Sequence, residues 1–169
     1  ILIILYYIIF CIKNQCCNTI YSSINKCMKY YITGTRRGLG KILSEKYDTV
    51  DSLQDCDVFI NCKHDGFEQV KLLYQAAELN KRIINIGSNA PDETKKVKHI
   101  YAVEKSALDK ANHQLYYQGV NTTIVRFGYF DSPRVAHIDK KKMSIEYCIS
   151  VIDWILNQPH RVKEITVCP

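Results

Sequence analysis

Downstream of Met28 short apolar runs alternate with longer stretches of helical period, and this alternation constrains the fold more than any other feature of the chain. Residues 30–33 read as a short strand and 40–47 as a helix carrying Ile42 and Leu43. Residues 57–62 (DVFINC) and 82–87 (RIINIG) read as strands by their β-branched and aromatic content. Between them, Phe67, Val70, Leu73 and Ala77 fall close to helical spacing over 67–79. A helix over 100–117, a strand over 122–127, a helix over 145–156 stopped by Pro159, and a last strand over 165–167 complete the pattern. Strands and helices that alternate in this way predict an α/β fold, a parallel sheet covered by helices on both faces. Ligands of such sheets bind where the strands end at their C-terminal edge. About ten residues, 48–56, separate the first helix from DVFINC.

The first strand runs into Thr33-Gly34-Thr35-Arg36-Arg37-Gly38-Leu39-Gly40. Glycines at a strand–helix junction permit positive φ, let the backbone approach a pyrophosphate and let the helix pack close to the strand. The free N–H groups of the helix N-terminus then favour phosphate. Gly40-Lys41 imitates the end of a GxxxxGK[ST] phosphate loop, but the earlier glycine falls one residue too soon and Ile42 stands where Ser or Thr is required. A tight turn without a ligand is the plain reading of the same glycines.

Tyr101 and Lys105 form a YxxxK pair near the start of the helix over 100–117, and an i,i+4 spacing puts both on one face. A neighbouring ammonium favours the phenolate and is expected to bring the tyrosine pKa below its usual value of about 10. Such a tyrosine can exchange a proton with an alcohol or carbonyl oxygen during hydride transfer. Ser88 follows the strand over 82–87, thirteen residues before Tyr101. Its hydroxyl can hydrogen-bond the reacting oxygen.

The glycine loop resembles the TGxxxGxG motif of the short-chain dehydrogenase/reductase family, matched at Thr33, Gly34, Gly38 and Gly40. Ser88, Tyr101 and Lys105 follow in that family's order and spacing, and Arg126-Phe127-Gly128 falls where the family often has a Pro-Gly turn. The resemblance spans nearly all of 28–169 and implies a single Rossmann-type doubly wound sheet with one strand–helix unit lost after the first helix. It implies an NAD(P)-dependent oxidoreductase acting on a carbonyl or alcohol, with Tyr101 as acid/base. Lys105 would lower the tyrosine pKa and hold the ribose, and Ser88 would orient substrate. Thr33, Gly34, Thr35, Arg36, Arg37, Gly38, Leu39, Gly40, Asp51, Asn61, Cys62, Tyr101, Lys105, Arg126, Phe127 and Gly128 are the residues it places at the cofactor.

Departures from the family keep other readings open. Its NNAG segment reads Asn61-Cys62-Lys63-His64, and its catalytic Asn has no counterpart apart from Asn61, which is already used. A non-catalytic dinucleotide-binding regulator or redox sensor, and a nucleotide-sugar epimerase- or dehydratase-like enzyme, are the alternatives. Asp51, seventeen residues after Gly34, favours NAD(H), because an acid at that distance takes the ribose 2′-hydroxyl. Arg36 and Arg37 favour NADP(H), which is the expectation adopted.

Residues 1–27 are expected to lie outside the 28–169 domain, as translated upstream sequence with Met28 the natural start; a truncated signal or interfacial anchor is the competing reading. The apolar run over 1–12 is shorter than the roughly 20 residues a membrane helix needs, so no membrane partner is expected. A net charge of +6 without a clustered basic face argues against nucleic acid. The eight cysteines show no paired metal spacing, so no metal site is expected and a reduced, cytoplasmic setting is. Two lysine runs, Lys95, Lys96 and Lys98 before Tyr101 and Lys140, Lys141 and Lys142 later, could steer an anionic small-molecule substrate, or are solvated loop charges. The resemblance implies a homodimer or homotetramer through the helices over 67–79 and 101–117.

Overall fold

The computed structural model describes residues 28–92 and 98–169. Lys95, Lys96 and the segment 1–27 lie outside the described residues. Strands β1 (Tyr30–Ile32), β2 (Val58–Asn61), β3 (Arg82–Ser88), β4 (Thr122–Phe127) and β5 (Glu164–Val167) pair in chain order into one parallel five-stranded sheet. Helices α1 (Gly38–Lys46), α2 (Glu68–Glu78), α3 (Ile100–Tyr117) and α4 (Ile145–Leu156) cross between the strands. This is the α/β, Rossmann-like architecture the alternation predicts.

The strands sort their side chains by the period of two. Ile32, Val58, Ile60, Ile84, Ile86, Val125 and Phe127 pack with Leu39 and Leu43 of α1 and Ile149, Ile152 and Ile155 of α4. On the opposite face Phe59, Ile83 and Ile124 pack with Leu73 and Ala76 of α2 and Leu108, Ala111 and Leu115 of α3. Each fully buried Leu, Ile or Phe contributes about 1.5–3 kcal/mol, so both faces have to be covered. The ends of α4 are closed by specific partners: the Ser144 hydroxyl accepts from the Tyr147 amide at 3.1 Å, and Arg82 donates to the carbonyls of Leu156 and Ile155 at 2.9 and 2.7 Å.

The shortened second unit survives as one bridge. Tyr30 pairs in parallel with Thr49, its amide donating to Asp48 and its carbonyl accepting from Val50, both at 2.9 Å. Lys29 and Thr33 bond instead toward β2, so Thr49 lies on the outer side of β1. The step from β1 through α1 to Thr49 runs opposite in direction and face to the α2 and α3 connections, which gives it the same hand. The α4 connection shares their direction but lies on the α1 face, so its hand is reversed, against the usual rule. Without α4 on that face, Ile84, Ile86, Val125 and Phe127 would lack a cover.

Candidate functional site

The loops that follow β1, β2, β3 and β4 all leave the same edge of the sheet, as its parallel pairing requires. In the first, Gly34 and Gly38 take φ values of +78° and +63°, open to glycine at little cost. A Cβ on Gly40 would stand 2.4 Å from the Gly34 carbonyl oxygen, so this position needs glycine for the helix to start against the loop. The Thr33 hydroxyl accepts from the amides of Cys62 and Lys63 at 2.9 and 3.0 Å and ties the first loop to the second. No side chain caps α1 and no acid stands in its first turn, which leaves its N-terminal amides open to an anion. Leu39 is buried beneath the loop, while Thr35, Arg36 and Arg37 are exposed at its tip.

An open cleft of about 480 Å³ lies beside this loop, within the range of small-molecule sites. Thr33, Gly34, Thr35, Lys63 and the edge residues Thr49 to Asp51 line it. Asp51 therefore reaches the cleft despite the shortened second unit, and Arg36 and Arg37 are not among its walls.

Ser88 is the last residue of β3, and Tyr101 and Lys105 stand on the first turns of α3. The Ser88 hydroxyl accepts from the Ala90 amide at 3.1 Å and stands near enough to the Tyr101 phenol to favour its charged form. Lys105 is only 3% exposed. Its Nζ donates to Gln69 Oε1 and to the Ile86 carbonyl, both at 2.7 Å, and lies 5.7 Å from the centre of the Tyr101 ring. The three residues predicted to act together do meet.

Their electrostatics depart from the expectation. Burial pushes the Tyr101 phenol above its usual range, and the opposing influences come from the Ser88 hydroxyl and Arg134. Burial also brings the Lys105 ammonium down to about 8. A lysine that is itself desolvated and hydrogen-bonded elsewhere does not dominate its neighbour's acidity.

Several other predicted residues serve the scaffold. Asn61 is fully buried, and its Nδ2 donates to the Gln69 carbonyl at 2.8 Å and to Asn85 Oδ1 at 3.0 Å, while its Oδ1 has no partner. Cys62 is half-buried, its thiol pushed up to about 11 by desolvation. The Arg126 guanidinium is engaged by Asp92, by Glu164 at 3.1 Å and by Asp109 at 3.5 Å, and also donates to the Ser88 carbonyl at 3.3 Å. Phe127 lies in the core, and Gly128 approaches Cys168 and Pro169. The arginine and phenylalanine side chains of the Arg126–Gly128 turn are thus committed away from the cleft.

Sequence reasoning missed Gln69. Its Nε2 donates to the Asn61 carbonyl at 2.8 Å while its Oε1 holds Lys105, so it links β2 to the helix of Tyr101. It also missed Asn85, which passes the same network to Asn112 and Thr122 at 3.1 Å each, and the ring of His64 against Tyr101. The available signal for Gln69 was its spacing: with Leu73 and Ala76 it forms the buried stripe of α2, whereas the predicted stripe member Phe67 is 48% exposed.

Fold and site together define a Rossmann-like α/β protein with a serine, a tyrosine and a lysine gathered at the C-terminal edge of its sheet. No family model and no curated protein matches the sequence. Solved structures do match in fold. The closed form of a serine dehydrogenase complexed with NADP+ aligns with a TM-score of 0.65 at 12% identity, covering 83% of this chain and 94% of that one. A short-chain dehydrogenase from Burkholderia cenocepacia J2315 in complex with NADP aligns at 0.62 and 15%, covering 83% and 87%. A 4-hydroxyisoleucine dehydrogenase complexed with NADH aligns at 0.60 and 12%, covering 83% and 96%. At such identities the likeness establishes the fold. Among the described residues no helix is long and apolar enough to cross a membrane, and no cluster of His, Cys, Asp or Glu could hold a metal ion.

Proposed function

We propose that the chain is an NAD(P)-dependent oxidoreductase of the short-chain dehydrogenase/reductase type, acting on a small carbonyl or alcohol. The observation that carries this reading is the Tyr101 ring 5.7 Å from the buried Lys105 Nζ, which is itself bonded to β3, the strand that Ser88 ends, on the sheet edge from which the glycine loop also leaves. A dinucleotide fits the residues present. The uncapped N-terminus of α1 suits its pyrophosphate, and Gly40 permits the close approach. The nicotinamide, when bound, supplies or accepts the hydride. In the reducing direction Tyr101 gives its phenolic proton to the carbonyl oxygen, and the Ser88 hydroxyl donates a hydrogen bond to that oxygen. Solvent then returns a proton to the phenolate, whose charge the nearby Lys105 ammonium favours while it lasts.

NADP(H) remains the proposed cofactor, because the exposed Arg36 and Arg37 can meet a 2′-phosphate at the loop tip. Asp51 in the cleft wall opposes it, so replacing both arginines by alanine should move the NADPH/NADH ratio of kcat/KM toward NADH; an unchanged ratio assigns selection to Asp51 instead. Exposed Phe67, just ahead of α2, and Ile100 and Val103 on α3 support a homodimer or homotetramer, to be checked by light scattering. Free Cys56, Cys62, Cys148 and Cys168 fit a reducing, cytoplasmic setting. The deciding experiment follows NADPH absorbance against a panel of carbonyl compounds. Turnover that Tyr101→Phe abolishes supports the oxidoreductase, whereas dinucleotide binding without turnover in either form favours a regulator.

A further inference from the structure

Tyr101 is flanked by two histidines. The His64 ring meets it edge-on, with centroids 4.8 Å apart and planes at 71°, and the His99 ring lies 6.0 Å away. The nearest acid on α3, Glu104, is covered, because its Oε2 lies 2.6 Å from His64 Nε2. His99 Nδ1 is buried without a hydrogen-bond partner. An unpaired polar atom in such a place is costly unless a ligand satisfies it.

Arg134 belongs to the short turn Pro133–Val135 that follows β4. The preceding Ser132 comes within 3.9 Å of the point where a Cβ on Gly38 would stand, so the turn lies by the glycine loop. Arg134 is exposed and forms no ion pair among the described residues, yet its charge acts on both Tyr101 and Lys105. Among the described residues, then, the tyrosine's surroundings hold the buried Lys105, the exposed Arg134, two histidines, and the carboxylate of Glu104 already engaged by His64. Such a balance of charge attracts an anion. The planar fork of a guanidinium matches the two oxygens of a carboxylate, and His99 offers one further ring nitrogen.

We propose that the substrate is an oxo acid, or the corresponding hydroxy acid, whose carboxylate is held by Arg134 with His99 beside the Tyr101 hydroxyl. This rests on the oxidoreductase reading and names the substrate class for that same site. Arg134 thereby becomes the residue that sets specificity, while Tyr101 and Ser88 handle the reacting oxygen.

The test uses the full chain with saturating NADPH and measures kcat/KM for 2-oxo and 3-oxo acids, their methyl esters and a phosphorylated carbonyl compound. The acid should be favoured over its ester by at least about ten-fold, the effect of one charge-assisted pair. Arg134→Met should bring that ratio toward one, and Arg134→Lys should keep part of it. Equal use of acid and ester, preference for the phosphorylated compound, or a ratio that survives Arg134→Met would overturn the proposal. So would an Arg134→Met variant that loses only NADPH affinity, since Arg134 would then serve the dinucleotide. If no carbonyl compound is turned over, the oxidoreductase reading fails by itself, and binding decides the carboxylate site. Oxamate and malonate, two non-reducible mimics, should then change the fluorescence of bound NADPH in the parent and at least about ten-fold more weakly in Arg134→Met; no response to either in the parent overturns it.

Discussion

The glycine loop and the tyrosine helix face the same edge of the sheet but hang from it differently. The loop leaves β1, a strand of three residues whose outer side is paired through Thr49 alone. Tyr101 stands on an 18-residue helix packed over β3 and β4, with Lys105 fastened at 2.7 Å to both Gln69 and the Ile86 carbonyl. A buried polar chain continues from Gln69 through Asn61 and Asn85 to Asn112 and Thr122. Networks of this kind, satisfied here except at Asn61 Oδ1, rigidify what they connect. The half proposed for catalysis is therefore held from several sides, while the half proposed for the dinucleotide phosphates depends on one thin edge. On the proposed function the contrast separates two properties: the geometry for chemistry is tied to the core, and cofactor affinity is left to an element that can be weakened without touching it.

The hardest blow to the well-built half should be Tyr101→Phe, which removes the proton donor and leaves the fold. Turnover should fall by about 10²–10⁴, the usual worth of general acid–base catalysis, with the dinucleotide Kd nearly unchanged. A parallel loss of cofactor binding would show that the two halves are not separable. Gln69→Leu should come next. It leaves the buried Lys105 ammonium with the Ile86 carbonyl alone, so its pKa should drop further below about 8. Stability should fall by about 1–3 kcal/mol in denaturant titration, the cost of an unsatisfied buried group. If turnover depends on Lys105, the corresponding limb of its pH profile should also move to lower pH, a shift that a merely structural residue would not produce.

A subtler check reads the thin edge directly. Amides of β1 and of Val50 should exchange with solvent faster than those of β3 and β4, which are central strands. Added NADPH should slow the first group more than the second, provided the loop is where the phosphates bind. Uniform protection without ligand would erase the contrast.

These differences also explain what could be read from the residues. β3, β4 and α3 came out with nearly the observed ends because their periods are long and their apolar content dense. Ser88, Tyr101 and Lys105 were legible because they lie close in the chain on two adjacent elements. Gln69 reaches Lys105 across 36 residues and looks, in sequence, like an ordinary polar position near the start of a helix. Counting apolar residues on α2 selected Phe67 and passed over the glutamine that is 2% exposed. Arg134 and His64 come from loops, where no periodicity says which way a side chain faces. The tyrosine's acidity was misjudged for a related reason: the adjacent lysine is visible in the sequence, and the burial that outweighs it is not.

The smallest effect should come from Asp109, one turn beyond Lys105 on the supported half. Burial raises its carboxyl to about 6 despite the opposing pull of Arg126, with Glu164 and Asp92 adding repulsion and His113 a further stabilising influence. The unfolded chain would release that proton near 3.8, so between about 4 and 6 the folded chain binds more of it, and stability falls as pH rises through this window. Above about 6 the penalty is complete and constant. Asp109→Asn should therefore raise the unfolding free energy by about 1–2 kcal/mol at pH 7.5 and by almost nothing at pH 3.5. Equal gains at both pH values would point to packing instead of charge. Loss of stability at pH 7.5 would mean that the Arg126 contact outweighs desolvation, making the acid group a fastener of the well-built half instead of a strain within it.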